Sequence, residues 1–212
     1  MQSMTIFTTC DLQSGFWQCR LGKEAQEKCA FVTHLGTHTF NVMPFGLANA
    51  PSTFQRMMDR VLEGLLYKNC FIFIDDVCVF SRTFDDHLDH PDAVLSRLET
   101  NDLKIKLSKC FFFQSQIDYL GMEFSEKGCR PKLSNVTGVL DLEEPRNVKG
   151  VRSFLGMVGF YRFFIPGFAG IALPLNRLLR KDVDFLFDSE EQEAFLSLKR
   201  ELVKRPILHH AS

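Results

Sequence analysis

The sequence lacks the features of several protein classes. Its seven cysteines are scattered without a C-x-x-C pair, and their odd number is typical of reduced thiols rather than of a disulfide framework. The first residues have neither the basic nor the apolar region of a signal peptide, and no apolar stretch approaches the ~20 residues of a membrane span. Low-complexity runs, Gly/Ser linkers and internal repeats are also absent. We therefore expect a folded, intracellular protein that is not secreted and needs no membrane.

Common catalytic signatures are missing as well. The chain has no G-x-S-x-G, no Walker or G-x-G-x-x-G loop, and neither the Asp-Thr-Gly nor the Asp-Ser-Gly of an aspartic protease. His87 and His90 are one helical turn apart but have no cysteine nearby, so we interpret them as surface residues rather than zinc ligands. Serine hydrolase, phosphate-loop and aspartic protease chemistry are thereby excluded.

The net charge is close to zero, but the charged residues are unevenly distributed. The net charge is −1, yet residues 145–181 contain no acid, residues 104–109 form a second basic run, and the acids crowd between residues 75 and 102. Such segregation predicts one basic face that could bind phosphates, although an ordinary helical surface also varies in sign. The cations of the longer stretch are Arg146, Lys149, Arg152, Arg162, Arg177, Arg180 and Lys181.

Strand patterns recur in the first part of the chain, mixed with helical ones. Apolar residues make up 45% of the whole sequence, which is ample for a core. Residues 70–80 are apolar except for Asp75-Asp76, which indicates a tight hairpin with the two acids at its tip. Lys127-Gly128 is interpreted as the turn that ends the sheet. The other predicted strand regions are 4–12, a hairpin through Leu35-Gly36-Thr37, 111–113 and 119–124.

Helical patterns appear within the sheet region and replace strands after it. Asn49 to Ser52 is typical of a helix start, and residues 85–101 are helical in pattern although Pro91 should break or begin that helix. The later helices predicted are one capped by Asn147 and stopped by Pro166, one over residues 169–179, and one opened by a Ser189-Glu190-Glu191-Gln192 capping box. We predict an α+β fold with a domain boundary near residue 128.

Three carboxylates fall at predicted strand ends, namely Asp11 and the pair Asp75-Asp76. Buried charges without partners are costly, so carboxylates brought to one place imply a compensating cation. Oxygen ligands favour Mg²⁺ or Mn²⁺, and two such ions could support an in-line phosphoryl displacement. Taken singly, acids at such positions are usually ordinary turn residues.

The motifs around these acids decide between the alternatives, because they occur in order and span almost the whole chain. Together they resemble the reverse transcriptases of gypsy-type long-terminal-repeat retrotransposon Pol polyproteins. The segments that carry the resemblance are residues 11–18 (DLQSGFWQ), 43–55 (MPFGLANAPSTFQ), 73–76 (FIDD), 103–111 (LKIKLSKCF), 119–122 (YLGM) and 152–166 (RSFLGMVGFYRFFIP). Departures are Cys10, Phe73, Met122 and Pro91 at positions that the family fills differently.

The resemblance implies a palm with partial fingers at residues 1–127, the fingers lying at about 19–47, and a helical thumb or connection segment at residues 128–212. It implies an RNA-directed DNA polymerase that extends a primer 3′-hydroxyl with deoxynucleoside triphosphates by a two-metal mechanism. The resemblance implies catalysis and metal binding for Asp11, Asp75 and Asp76, with a further metal ligand in the Leu12 carbonyl. It implies nucleotide binding for Phe16 (a steric gate against ribose), Phe45, Gly46 and Lys109, and a primer grip formed by Leu120, Gly121 and Met122. The residues implied to bind the nucleic-acid backbone are Arg146, Lys149, Arg152, Arg162 and Arg177.

The same resemblance indicates partners and context. The partners expected are an RNA or DNA template with its primer, and the rest of a Pol polyprotein such as ribonuclease H and integrase. The expected location is cytoplasmic and particle-associated, or nuclear. Because the upstream fingers segment of the family is not in the sequence, we expect feeble or no synthesis by the chain alone. The alternative is a catalytically inactive nucleic-acid-binding remnant; a protein-interaction module has no positive signal.

Overall fold

The computed structural model of the protein describes residues 4–204 and 207–208. Its contacts divide the chain after Ile117 into an N-terminal unit and a C-terminal unit. The division lies upstream of the boundary predicted near residue 128, because the strands that follow Ile117 group with the helices after them. Where a functional palm ends and a thumb begins stays a prediction.

Strands and helices are mixed in the N-terminal unit, as the sequence predicts, and strands continue into the C-terminal unit. The strands of the described residues are β1 (Ile6–Asp11), β2 (Phe31–Thr33), β3 (Gly36–His38), β4 (Cys70–Phe73), β5 (Asp76–Ser81), β6 (Phe111–Gln114), β7 (Gln116–Tyr119), β8 (Met122–Ser125) and β9 (Gly128–Pro131). The helices are α1 (Lys23–Lys28), α2 (Ala50–Val61), α3 (Phe84–Thr100), α4 (Leu133–Leu140), α5 (Val148–Gly159), α6 (Phe168–Ile171), α7 (Leu173–Arg177) and α8 (Ser189–Val203).

A four-stranded sheet with the order β4-β5-β1-β6 is the framework of the N-terminal unit. β1 is antiparallel to β5 from Ile6 opposite Ser81 to Asp11 opposite Asp76. The predicted hairpin over residues 70–80 is confirmed as β4 and β5, which pair from Cys70 opposite Val79 onwards. Because side chains alternate along a strand, this register fixes which residues reach the core and which reach the strand ends.

Helices α2 and α3 supply the other half of this core. Phe54 and Met58 of α2 recur at helical spacing and are fully buried, as are Val94 and, almost completely, Leu98 of α3. They belong to the same apolar cluster as the inward-facing residues of β1 and β5. Each such side chain contributes about 1.5–3 kcal/mol through burial relative to exposure.

The segment predicted as fingers closes on itself. Its two ends pair, with the Leu21 amide donating to the Asn41 carbonyl at 3.0 Å and the Met43 amide to the Cys19 carbonyl at 2.9 Å. Between them lie α1 and the hairpin of β2 and β3, which confirms the hairpin predicted around Gly36. The assignment of this segment to fingers stays a prediction.

Two sequence interpretations of α3 are wrong. Pro91 neither breaks nor begins the helix but lies inside it, and its ring is buried. A proline removes one intrahelical hydrogen bond, and here the packed apolar face of α3 outweighs that loss. His87 is not a surface residue, because its side chain is fully buried.

His87 is buried with a polar partner on each ring nitrogen. Its Nε2 lies 2.8 Å from Oγ1 of Thr8 in β1, and its Nδ1 lies 2.7 Å from Oγ of Ser81 in β5. His90 Nδ1 lies 2.8 Å from the same Ser81 hydroxyl. The network joins α3 to two sheet strands and satisfies groups that would otherwise be costly to bury.

A three-stranded sheet with the order β7-β8-β9 opens the second half of the chain. Lys127 and Gly128 were expected to end the sheet, but β9 follows them and pairs with β8 from Ser125 opposite Gly128 to Met122 opposite Pro131. The apolar run that marks other strands is missing from β9, which reads Gly-Cys-Arg-Pro. Sequence pattern therefore gave no signal for it.

Helices make up the rest of the C-terminal unit. Phe154 of α5 packs on Phe195 of α8 with ring centroids 4.5 Å apart, and both rings are buried. Lys199 of α8 donates from Nζ to the carbonyl of Leu140 at the end of α4, at 2.8 Å. Burial lowers the pKa of Lys199, while the charges of Asp141 and Glu144 oppose that decrease.

Helix ends agree only partly with the sequence prediction. Asn147 caps α5 as predicted, accepting from the Gly150 amide at 2.9 Å, but α5 ends at Gly159 rather than at Pro166. The capping box of α8 exists one residue earlier than predicted, between Asp188 and Glu191. The helix predicted over residues 169–179 is two short helices, α6 and α7. Among the described residues, no helix has both the length and the apolarity needed to cross a bilayer.

The buried histidine generates a pH prediction. Burial lowers the pKa of His87, and the neighbouring His90 lowers it further. The unfolded chain therefore binds a proton more readily than the folded chain, so stability is full above pH ~6.5 and falls as the pH drops below that value. We expect His87→Gln to weaken this pH dependence and to cost about 1–3 kcal/mol at pH 7.5, because buried partners lose their hydrogen bonds.

Urea unfolding followed at pH 5.5, 6.5 and 7.5 measures this effect. His34→Gln is the matched control, since His34 is exposed. Equal pH dependence in the wild type and the His87 variant would show that the buried histidine does not titrate as described.

Candidate active site

The three predicted carboxylates lie together at one end of the central sheet. Asp11 is the last residue of β1 and Asp76 the first of β5, and the two are opposite each other in the strand pairing. The Leu12 amide donates to the Asp75 carbonyl at 3.0 Å. The predicted placement of Asp11 beside the Asp75-Asp76 turn is therefore confirmed, while the catalytic role of these residues stays a prediction.

A strained turn presents Asp75. Ile74, which precedes it, has a φ of +57°, in the left-handed region that a β-branched residue rarely adopts. Such a conformation costs on the order of 1–3 kcal/mol and persists only where neighbours enforce it. Gln55 of α2 does so here, because its Oε1 accepts from the Ile74 amide at 2.7 Å and its Nε2 donates to Asp59 at 2.9 Å.

Gly15 lets the chain after β1 lie against this turn. A Cβ at Gly15 would lie 3.1 Å from Cζ of Phe54 and 3.2 Å from Cβ of Asp75, closer than side chains normally approach. The 3₁₀ turn Gly15–Gln18 that begins here is tied back by Gln18, which donates to the Gln13 carbonyl at 2.7 Å. Gly15, Gln18 and Gln55 lie within the motifs, but no role was predicted for them from the sequence.

Lys109 reaches the carboxylates from the 3₁₀ turn Leu107–Lys109. Its Nζ lies 3.0 Å from Oδ2 of Asp11, whose side chain is only 19% exposed. The hydrogen bond and charge of Asp11 raise the pKa of Lys109, and Asp75 and Asp76 add to the effect. Lys109 is thus a member of the site, as predicted, and its contact with a nucleotide stays a prediction.

The carboxylates repel one another. Burial raises the pKa of Asp76 most, followed by the charges of Asp75 and Asp11, while Lys109 opposes the rise. A divalent cation would relieve this repulsion, and the oxygen donors suit a hard metal. In the part of the chain that the structure describes, however, no three acid, histidine or cysteine side chains are grouped closely enough to hold a metal ion.

Carboxylate oxygens suit a hard metal, but the Asp11 side chain must leave its present partner before a metal binds. Asp11 directs one carboxylate oxygen at Lys109. A metal held by Asp11 and Asp75 must therefore compete with the ammonium group. The Leu12 side chain is buried in the core, so only its backbone carbonyl is left for the predicted metal binding, which stays a prediction.

Aromatic rings adjoin this site along the chain. Phe16, half-buried, lies between Phe45 and Phe54 with centroid distances of 5.5 and 5.6 Å. Trp17 also contacts Phe45, at 5.6 Å. Phe45 itself is 62% exposed, and the next residue, Gly46, has a φ of +93° with open space beside it. The structure thus gathers Phe16, Phe45 and Gly46, which were predicted to bind the nucleotide.

The predicted primer-grip residues belong to the turn between β7 and β8. Leu120 and Gly121 both have positive φ, of 49° and 77°. The Gly121 carbonyl accepts from the Lys132 amide at 3.2 Å, and Asn135 lies so close that a Cβ at Gly121 would be 3.1 Å from its Nδ2. Met122 begins β8 and is half-buried. The turn is well supported, and its contact with a primer stays a prediction.

The predicted backbone-binding cations differ in their surroundings. Arg146 pairs with Glu143 at 3.5 Å, and Arg177 pairs with Glu190 at 3.2 Å. Both glutamates lie outside residues 145–181 in sequence, but in the folded chain they contact arginines of that acid-free stretch. Arg162 lies over the Phe163 ring at 5.0 Å. Of the five cations predicted to bind the backbone, Lys149, Arg152 and Arg162 are exposed and have no carboxylate at salt-bridge distance among the described residues.

The Lys109–Asp11 contact generates a test of metal fit. We expect Lys109→Met to bind Mn²⁺ about two- to fivefold more tightly than the wild type, because a competing exposed ion pair of modest strength is removed. Asp75→Asn should weaken binding instead. Electron paramagnetic resonance of free Mn²⁺ measures both without any turnover.

Lys104→Met is the matched control, since Lys104 is exposed and its side chain is in no described ion pair. Tighter binding in both lysine variants would indicate a general charge effect. Weaker binding in Lys109→Met would contradict competition.

Comparisons with known proteins place this site in a family. A family model described as reverse transcriptase (RNA-dependent DNA polymerase) matches residues 1–124. The chain is 38% identical over 203 residues to the "Retrovirus-related Pol polyprotein from transposon 297" of Drosophila melanogaster, covering 95% of this chain and 19% of that protein. It is 36% identical over 210 residues to the "Transposon Tf2-3 polyprotein" of Schizosaccharomyces pombe, covering 99% of this chain and 16% of that protein.

Solved structures show the same fold. The foamy viral protease-reverse transcriptase dRH in complex with double-stranded DNA has a TM-score of 0.90 and 22% identity, covering 100% of this chain and 38% of that one. The same viral protein with RNA/DNA hybrid has a TM-score of 0.83 and 23% identity, covering 97% and 28%. The predicted α+β polymerase fold is confirmed, and a gypsy-type origin is consistent with the transposon relatives, of whose length the chain spans less than a fifth. The chain belongs to the reverse transcriptase (RNA-dependent DNA polymerase) family.

Proposed function

We propose that the chain is the core of an RNA-directed DNA polymerase from a retrotransposon Pol polyprotein, adding deoxynucleotides to a primer 3′-hydroxyl. The observation that carries the proposal is the pairing of Asp11 with Asp76 across β1 and β5, with Asp75 in the adjoining turn. This pairing lies inside the segment that the family model matches. Carboxylates gathered at strand ends, with an ordered cation beside them, are suited to phosphoryl transfer.

Reverse transcriptases generally use divalent metal ions. For this chain we propose two Mg²⁺ or Mn²⁺ ions, held by Asp11, Asp75, Asp76 and the Leu12 carbonyl. When bound, such ions supply Lewis acidity toward phosphoryl oxygens and a lower pKa for the attacking hydroxyl. The protein holds the carboxylates ready, because strand pairing and the Gln55 contact fix the backbone that carries them.

The aromatic residues are proposed to select and position the nucleotide. Phe45 and Phe54 contact the Phe16 ring and limit its movement. A ring fixed in this way would collide with a 2′-hydroxyl and so favour a deoxyribose. Phe45 and Gly46 offer an exposed ring and an unobstructed backbone for a base pair. Lys109 would contact the triphosphate once it is released from Asp11.

The proposed partner is a primer annealed to an RNA or DNA template. The structural relatives bind double-stranded DNA and RNA/DNA hybrid. In this chain the turn Leu120–Met122 and the unpaired cations Lys149, Arg152 and Arg162 are proposed to hold the duplex through its backbone. Such contacts carry no sequence information and depend strongly on salt. Ribonuclease H and integrase of the polyprotein, and an intracellular site of action, are part of the same proposal.

Primer extension tests the polymerase proposal. With a DNA primer on an RNA template, and Mg²⁺ or Mn²⁺ present, Asp75→Asn should lower the rate at least about 100-fold, since it removes a metal-binding oxygen. The comparison is made with the purified chain alone and fused to an upstream fingers segment of the family. Asp92→Asn, an exposed residue of α3, is the matched control.

Two results would contradict the proposal. Extension that survives Asp75→Asn would place the chemistry elsewhere. No extension by either form, with metal demonstrably bound, would favour the inactive nucleic-acid-binding remnant.

Salt dependence tests the proposed duplex surface. Each phosphate contact contributes about 0.9 to the slope of log K on log salt with B-DNA. We expect Arg152→Ala with Arg162→Ala to reduce the slope by about 1 to 2. Arg177→Ala should change it less, because Glu190 already pairs with Arg177. Fluorescence anisotropy with a labelled duplex at several salt concentrations measures the slopes. An unchanged slope in the double variant would show that these arginines do not touch nucleic acid.

A further inference from the structure

A groove of about 700 Å³ lies between α2 and α3 in the N-terminal unit. Its volume is within the range of sites that bind small molecules. None of its residues belongs to the carboxylate site or to the aromatic group beside it. Its lining consists of Thr53, Arg56, Met57, Arg60, Val61, Arg97 and Asn101, and we call it the arginine groove.

Helix geometry explains why these residues share one surface. The five from α2 follow the spacing i, i+3, i+4, i+7 and i+8, which is a single helical face. Arg97 and Asn101 are four residues apart, at the end of α3. Arg97 is fixed across the groove, because its Nη1 donates to the carbonyls of Val61 at 3.2 Å and Glu63 at 3.3 Å.

The three guanidinium groups are not neutralised by the protein. Within residues 4–204 and 207–208, none of Arg56, Arg60 and Arg97 has a carboxylate at salt-bridge distance. Arg56 contacts only the Thr53 hydroxyl, at 3.4 Å. Three unpaired charges facing one groove repel each other, and an anion would replace that repulsion with attraction.

The chemistry of the groove favours a phosphorylated ligand. Guanidinium groups donate two parallel hydrogen bonds to phosphate oxygens, and arginine side chains also stack on planar rings. Met57 is half-buried and Val61 buried, so the groove has an apolar part beside its charges.

The acids of α3 limit the size of the ligand. That helix carries five exposed carboxylates, which would repel a long phosphodiester lying along it. They are Asp85, Asp86, Asp89, Asp92 and Glu99. A compact anion at the arginine end of the groove avoids most of them.

We propose that the arginine groove binds a small phosphorylated molecule of nucleotide size. Its phosphates contact Arg56, Arg60 and Arg97, and its planar ring packs on Met57. The site is separate from the carboxylates, and the proposal does not depend on polymerase activity.

Titration calorimetry with ATP tests the proposal. EDTA is present throughout, so that metal-bridged triphosphate cannot occupy the carboxylate site. We expect measurable binding by the wild type and at least about tenfold weaker binding by the double variant Arg56→Gln with Arg60→Gln. Arg82→Gln, an exposed arginine elsewhere in the unit, is the matched control and should bind ATP like the wild type. Both arginines of the double variant are exposed, and circular dichroism checks that it remains folded.

Three results would overturn the proposal. Equal ATP affinity in the wild type and a folded double variant would remove the arginines from the site. If inorganic triphosphate bound as tightly as ATP, the groove would be a general anion-binding site that does not recognise a nucleoside. A short single-stranded oligonucleotide that displaces ATP and loses affinity in the double variant would assign the groove to nucleic acid instead.

Discussion

The antiparallel register of β1 on β5 is the constraint on which the site depends. Because side chains alternate along a strand, a slip of one residue would exchange the two faces of β1 and remove Cys10 from its apolar cluster. The pairing that keeps Cys10 in the apolar cluster with α2 and α3 also sets Asp11 opposite Asp76. Burial of apolar side chains therefore supplies the energy that holds two like charges together, which they would resist by themselves. The register of β1 on β5 therefore both stabilises the fold and positions the carboxylates.

A strained backbone turn positions the carboxylates together with the strand register. The turn that carries Asp75 needs Ile74 in a left-handed conformation, and Gln55 of α2 holds it there. Gly15 gives the following segment room to approach the same turn. Lys109 neutralises part of the charge and holds the Asp11 carboxylate through their ion pair, which a metal must displace. The backbone of the site is thus preorganised by contacts from different parts of the chain, while the carboxylate side chains must still rearrange to bind a metal.

Much of the fold and of the candidate site could be predicted from the sequence, because strand ends and motifs are local patterns. Asp11 at the end of an apolar run and Asp75-Asp76 within another indicated the site, and the hairpin at residues 70–80 was predicted correctly. Long-range packing could not be predicted. Pro91 lies inside α3, and His87 is buried because of partners that are distant in sequence. The local periodicity of the sequence does not indicate either feature. The ion pair between Lys109 and Asp11 joins residues far apart in the chain, and only the fold brings them together.

The central claim is that Asp11 and the Asp75-Asp76 turn form one metal-binding site, and localised cleavage by Fe²⁺ tests it directly. Iron bound in place of Mg²⁺, with ascorbate and peroxide, produces hydroxyl radicals that cut nearby backbone. The account predicts two cuts, near residue 11 and near residues 75–76, both suppressed by excess Mg²⁺ and lost in Asp75→Asn. Cuts at only one of these positions, or cuts that persist in that variant, would contradict it.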